Sequence, residues 1–138
     1  MDSTEGLPGP VIVKKLGKIT IQKCLSHKII SVMKHIPGHG HGTTDSHVKM
    51  PKVNLSENEL NKTDFYPFKS NPAKIAMTAH ILYSKIDAKN VATFSKKIIQ
   101  KIIRKKIGFK GILMWDDISM KALKYDLMFK LKYSKLFI

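Results

Sequence analysis

Arginine is nearly missing from this chain of 138 residues: of 25 basic side chains, only Arg104 carries a guanidinium. The planar fork that best reads phosphates and guanine edges is therefore almost absent. The formal charge of +15 is carried by lysines spread along the sequence rather than clustered to release counterions from a nucleic acid. A nucleic-acid partner is not expected. Cysteine occurs once, at Cys24, which excludes an intramolecular disulfide framework and fits a reducing compartment. No stretch approaches the roughly 18 consecutive apolar residues of a membrane span. The opening MDSTEGLPGP is acidic and broken by Gly and Pro, without the basic-then-apolar order of a secretory leader. A cytoplasmic protein with no membrane partner is the expectation. Length sets a further bound, because a complete eight-stranded α/β barrel needs roughly 200 residues or more.

What is present alternates. Residues 1–28 read as a poorly determined lead-in, with apolar residues too irregular to assign beyond 11. The β-branched run IISVM (29–33) predicts a buried strand delivering Lys34 and His35 to its end. Ser56 and Glu59 have the spacing of a capping box, which predicts a short helix. KIAMTAHI (74–81) predicts a second strand ending near His80. Ser95 is a candidate N-cap for a helix in which Ile98, Ile99, Ile102, Ile103 and Ile107 recur at helical spacing, with Gly108 as its stop. GILMW (111–115) predicts a third strand with Asp116 and Asp117 just past it, and SMKALKYDLMFKLKY has helical character. Strands alternating with helices predict an α/β fold with parallel neighbours at 29–34, 74–80 and 111–115. In such folds chemistry sits at the C-terminal ends of the strands, so Lys34, His80 and Asp116 are expected on one edge.

One stretch is unusual. KHIPGHGHGTTDSH (34–47) holds four of the six histidines and three of the eight glycines. His39 and His41 lie two apart in a loop and the only thiol lies outside it, a spacing that matches neither HExxH nor a Cys/His finger. No metal and no cofactor is expected. Pro37 and the glycines suggest a loop able to turn and move, so 38–46 should be more mobile than the flanking strands. Asp45 and His47 stand two apart, where a carboxylate can hold one ring nitrogen and make the other more basic. Duller roles exist for each residue: Asp116 or Asp117 as a helix cap, Lys34 as a solvated cation, His35 as a satisfied buried ring, and His80 as either packing or pocket lining.

The same stretch resembles the K-H-[FI]-P-G-H-G-x4-D-S-H signature of bacterial β-N-acetylglucosaminidases of glycoside hydrolase family 3, the cell-wall recycling enzymes. AMTAHILYSKID, VATFSKKII (the family's PATLSKKII) and GFKGILMWDDISM continue the likeness in order. The resemblance covers about 29–124. It implies a (β/α)8 TIM-type barrel of which this chain holds only middle-to-late βα units, with 125–138 as an atypical tail. It also implies retaining hydrolysis of terminal N-acetyl-β-glucosaminides in peptidoglycan recycling. Asp116 would be the nucleophile, His47 the acid/base tuned by Asp45, and Lys34 and His35 would bind the sugar, a histidine standing where a second carboxylate is usual. The implied substrate is a muropeptide or other glycan bearing N-acetylglucosamine. Two features depart from the family. Trp115 replaces the Ser before the nucleophile and could crowd it, and the upstream Asp and Arg sugar contacts have no counterpart. An incomplete piece of such an enzyme, inactive alone and completed by a chain supplying the missing strands, is the expectation. The alternative is a basic nucleic-acid or partner-binding module, marked by binding that weakens steeply with salt.

Overall fold

The computed structural model of the protein describes residues 9–42, 50–117, 119 and 123. Three strands, β1 (Val32–Ile36), β3 (Ile75–Thr78) and β5 (Ile112–Met114), form a parallel sheet in the order β1-β3-β5. The expected three-strand arrangement is thus present. A second parallel pair joins β2 (Lys52–Val53) to β4 (Leu82–Tyr83). The helices are α1 (Pro10–Ser26), α2 (Glu57–Lys62) and α3 (Ile98–Ile107). The helical character read into SMKALKYDLMFKLKY lies almost wholly outside the described residues.

β1 begins three residues later than the IISVM run suggests. Ile29 and Ile30 precede it and are 57% and 61% exposed, so β-branched character alone marked the wrong end of the segment. Lys34 and His35 consequently lie inside the strand. Pairing to β3 slips between them and Ile36: Lys34 faces Met77, Ile36 faces Thr78, and His35 has no partner in the register. An extra residue of this kind re-aims side chains, and here it leaves His35 half-buried while Met33 and Ile36 both enter the core. The Lys34–His35 and Ile36–Pro37 peptides are cis.

α2 forms as its cap requires. Ser56 Oγ accepts the Glu59 N–H at 3.3 Å and Glu59 Oε2 accepts the Ser56 N–H at 2.7 Å, so two end donors are satisfied reciprocally. Hydrogen bonding to Ser56 is the main reason the Glu59 carboxyl titrates below its ordinary range.

The helical turn leading into α3 begins after Ser95, whose Oγ accepts the Ile98 N–H at 3.0 Å, and α3 stops at Gly108. Its winding is π rather than α, which explains its burial. At about 100° per residue, Ile98 and Ile107 would face opposite sides of an α-helix. The wider i→i+5 turn stacks residues four and five apart, so Ile98, Ile102, Ile103 and Ile107 share the buried face and Ile99 is left at its margin.

The core gathers these isoleucines with Ile36, Leu60, Phe65, Ala76, Ile81 and Tyr83. The turn from α3 into β5 is close. Arg104 donates to the carbonyls of Phe109 and Gly111 at 3.0 and 2.8 Å, and a Cβ at Gly111 would sit 2.2 Å from the Lys74 carbonyl oxygen.

α1 occupies a segment whose apolar pattern predicted no element. Pro10 at its first position favours the start, but only Ile21 is buried, while Val11, Ile12, Leu16 and Ile19 are all more than half exposed. An element whose apolar residues point in several directions has no periodic signature. Among the described residues no helix is long and apolar enough to cross a membrane.

Candidate active site

Chemistry collects where the strands end. His35 Nε2 lies 3.3 Å from Asp116 Oδ2, joining the bulge of β1 to the residue two past β5. The other carboxylate oxygen, Oδ1, accepts the Asp117 N–H at 2.8 Å, so both oxygens are oriented. Burial lowers the His35 pKa, with Lys34, His39 and His80 acting the same way and Asp116 acting against them. A ring below its ordinary value is neutral at neutral pH and can donate its Nε2 proton to the carboxylate.

Trp115 does not crowd this carboxylate. It is 41% exposed and meets Phe94 edge-to-face, ring centroids 5.8 Å apart. The larger residue is accommodated at the surface, and Asp116 keeps its contact with His35.

Beside His35 opens a cavity of about 620 Å³, lined also by Lys34, His39, His41 and Asp64 and bounded on one side by the start of α1 at Pro10. The first residues of the Gly-rich loop form its wall and are anchored. Asp64, buried, accepts the His41 N–H at 3.1 Å, the His41 Nδ1 proton and the Thr63 hydroxyl at 3.0 Å. The Tyr83 hydroxyl donates to the Gly38 carbonyl, and burial, followed by the charge of Asp64, raises its pKa well above 10.0, so it stays a donor. These anchors at 38–42 come from residues 23 or more positions away, so no pattern within the loop announces them. Residues 43–49, and with them Asp45 and His47, lie outside the described residues.

His80 is buried, at 2% exposure, with both ring nitrogens engaged: Nδ1 is 2.7 Å from Thr93 Oγ1 and Nε2 is 3.0 Å from the Asp117 carbonyl oxygen. Asp64 and Thr93 were not singled out in the sequence. Both are small polar residues in ordinary contexts, and only their burial reveals them. Among the described residues no three His, Cys, Asp or Glu side chains gather as a metal ion would require.

A histidine and a carboxylate meeting at the C-terminal edge of a parallel α/β sheet stand where enzymes of this fold class carry their chemistry. The comparisons carry the assignment further. The glycosyl hydrolase family 3 N-terminal domain matches residues 8–133, and the chain belongs to that family. It is 37% identical over 116 residues to the β-hexosaminidase of Hydrogenovibrio crunogenus, covering 82% of this chain and 32% of that one. The β-hexosaminidase A of Pseudoalteromonas piscicida is 31% identical, with 83% and 22% covered. The crystal structure of CbsA from Thermotoga neapolitana superposes with a TM-score of 0.80 at 36% identity, over 86% of this chain and 28% of that one. Native NagZ from Neisseria gonorrhoeae gives 0.74 at 30%, over 90% and 38%. The fold is therefore part of a TIM-type barrel, and the chain spans under two fifths of the length of these relatives.

Proposed function

We propose that this chain carries the nucleophile half of a retaining β-N-acetylhexosaminidase site acting on terminal N-acetylglucosamine. The observation that carries the reading is the His35–Asp116 contact at the strand ends of a family 3 domain. Asp116 attacks the anomeric carbon and forms a glycosyl-enzyme, which water then hydrolyses; each step inverts that carbon once, so configuration is retained. Asp45 and His47, two apart in the signature, serve as the acid/base pair, and Lys34 and His35 hold the sugar. The relatives named β-hexosaminidase support the substrate class. A muropeptide substrate, a role in peptidoglycan recycling and a cytoplasmic setting extend the same reading, supported by the signature of 34–47 and the lone thiol. β1 and β5 are the outer strands of the sheet among the described residues, and Val32, Ile112 and Met114 on them are exposed. A polypeptide supplying neighbouring strands would complete the site.

The test is release of nitrophenol from 4-nitrophenyl N-acetyl-β-glucosaminide, by the chain alone and with the remaining strands of a relative co-expressed. Release is expected in the completed barrel, with the β-anomer as first product by proton NMR and turnover abolished by Asp116→Asn. Activity that persists in Asp116→Asn, or a first-formed α-anomer, would remove the glycosyl-enzyme from consideration.

A further inference from the structure

The residues around Asp116 are gripped from both sides by one short turn. The 3-10 turn Ala92–Phe94 sits in the core, with Ala92 and Thr93 buried. On one side, the Phe94 ring meets Trp115. On the other, Thr93 Oγ1 holds His80, and His80 Nε2 reaches the Asp117 carbonyl. Asp116 lies between those two contacts. We propose that His80, with the turn Ala92–Phe94, is a brace that positions the Asp116 carboxylate against His35, making His80 a positioning residue for the site. The proposal rests on the reading of Asp116 as the acting carboxylate, and it gives a task to a buried histidine that the hydrolytic scheme does not use.

The hydrogen-bond chemistry gives the brace a definite form. A carbonyl oxygen only accepts, so the bond to Asp117 requires the proton on His80 Nε2. In the neutral ring Nδ1 is then an acceptor, and Thr93 donates to it while accepting from Thr78, whose Oγ1 is 3.0 Å away. In the protonated ring Nδ1 donates to Thr93, and the Thr93 hydroxyl turns to the Ala79 carbonyl at 3.1 Å. The link to Asp117 survives in both states, because Thr93 has a destination for its proton either way. The second grip is apolar: the Phe94 and Trp115 rings meet edge-to-face, centroids 5.8 Å apart, and tie the residue before Asp116 to the same turn.

His35 reports on the brace without any need for turnover. Asp116 raises its pKa, while Lys34, His39 and His80 lower it. Its titration midpoint in the intact chain, read by NMR of the ring protons, should therefore fall when Asp116 is neutralised as Asp116→Asn. His80→Phe keeps a ring in the core but removes the bond to Asp117, and should give most of the same fall. This is opposite in sign to the direct loss of the His80 charge. His80→Gln, whose amide N–H can reach the Asp117 carbonyl, should restore most of the midpoint, and Phe94→Leu should lower it. Should His80→Phe not fold, Thr93→Val removes the partner of His80 Nδ1 while leaving Nε2 to the Asp117 carbonyl, and should give part of the same fall. In the unmodified chain, ring nitrogen shifts should show neutral His80 protonated at Nε2 and bare at Nδ1.

The proposal is overturned by the opposite tautomer, by Phe and Gln variants with the same midpoint, or by an Asp116→Asn variant that leaves His35 unmoved. Hydrolysis of the aryl glucosaminide can fail while His35 behaves as expected. The reverse is equally open, so failure of the brace and failure of the hydrolytic reading are told apart by the two measurements.

Discussion

Gly38 shows how tightly the wall of the cavity is set. Its φ is +143°, and a Cβ would lie 2.6 Å from Asp64 Cβ and 2.7 Å from the Asp64 carbonyl oxygen, both parts of a buried residue that cannot swing away. Gly38→Ala should therefore cost about 1–3 kcal/mol, from a backbone region that is essentially glycine-only. A lowered urea midpoint at unchanged slope checks this. Asp64 itself holds the loop by accepting two protons from His41. Asp64→Leu leaves the His41 amide without its partner, so hydrogen exchange at that amide should become faster while exchange in β3 stays slow. Equal acceleration in both places would mean that Asp64 supports the whole core rather than the loop.

At the scale of elements, α3 depends on what happens just before it. Ser95 caps its first turn and also donates to Asp87 Oδ2 at 2.7 Å, and Asp87 accepts from Asn90 and from the backbone of Lys89 as well. Burial works to raise the Asp87 pKa, but the hydrogen bonds from Ser95, Asn90 and the backbone outweigh it and hold the carboxyl below 3.8. A depressed folded value means that the unfolded chain binds the proton more readily. The stabilisation is thus fully present above about pH 3.8 and is lost as pH falls through the lower folded value. Ser95→Ala should cost about 0.5–2 kcal/mol at neutral pH through the lost cap, and less in strong acid, where the bond to Asp87 has already gone. Denaturation at the two pH values measures the difference. Ile103→Ala, at a fully buried position of α3, should cost about 2–5 kcal/mol; a loss under 1 kcal/mol by the same assay would contradict its place in the core.

At the scale of the whole molecule, the outer strands of the three-stranded sheet, β1 and β5, have no further neighbouring strand among the described residues. Val32 and Ile112 sit on the two outer strands, and Ile112 is 67% exposed. Apolar strand edges of this kind pair with other chains. Sedimentation velocity should show self-association rising with concentration, and Ile112→Lys should shift the distribution towards monomer. A monomeric unmodified chain across the accessible range would show that the edges are already covered. The high positive charge opposes association at low salt, so the effect should grow as salt screens the lysines.

Much of this architecture was legible in the sequence because it is locally encoded. The Ser56–Glu59 cap, the Ser95 start and Gly108 stop of α3, and the three strand-forming runs depend on residues within a few positions of one another. Strand-end logic then put His80 and Asp116 near one edge, and the signature of 34–47 identified the family. The sequence by itself could not decide the phase of β1 or the π winding of α3. It also left open which of its polar residues are buried. Those follow from contacts between segments far apart in the chain: β1 slips against β3 at His35, α3 widens so that its isoleucines face one core, and Asp64 and His80 find partners 23 and 37 positions away. Local patterns state which conformations are cheap; only closure of the tertiary structure selects which polar groups lose water and must find one another.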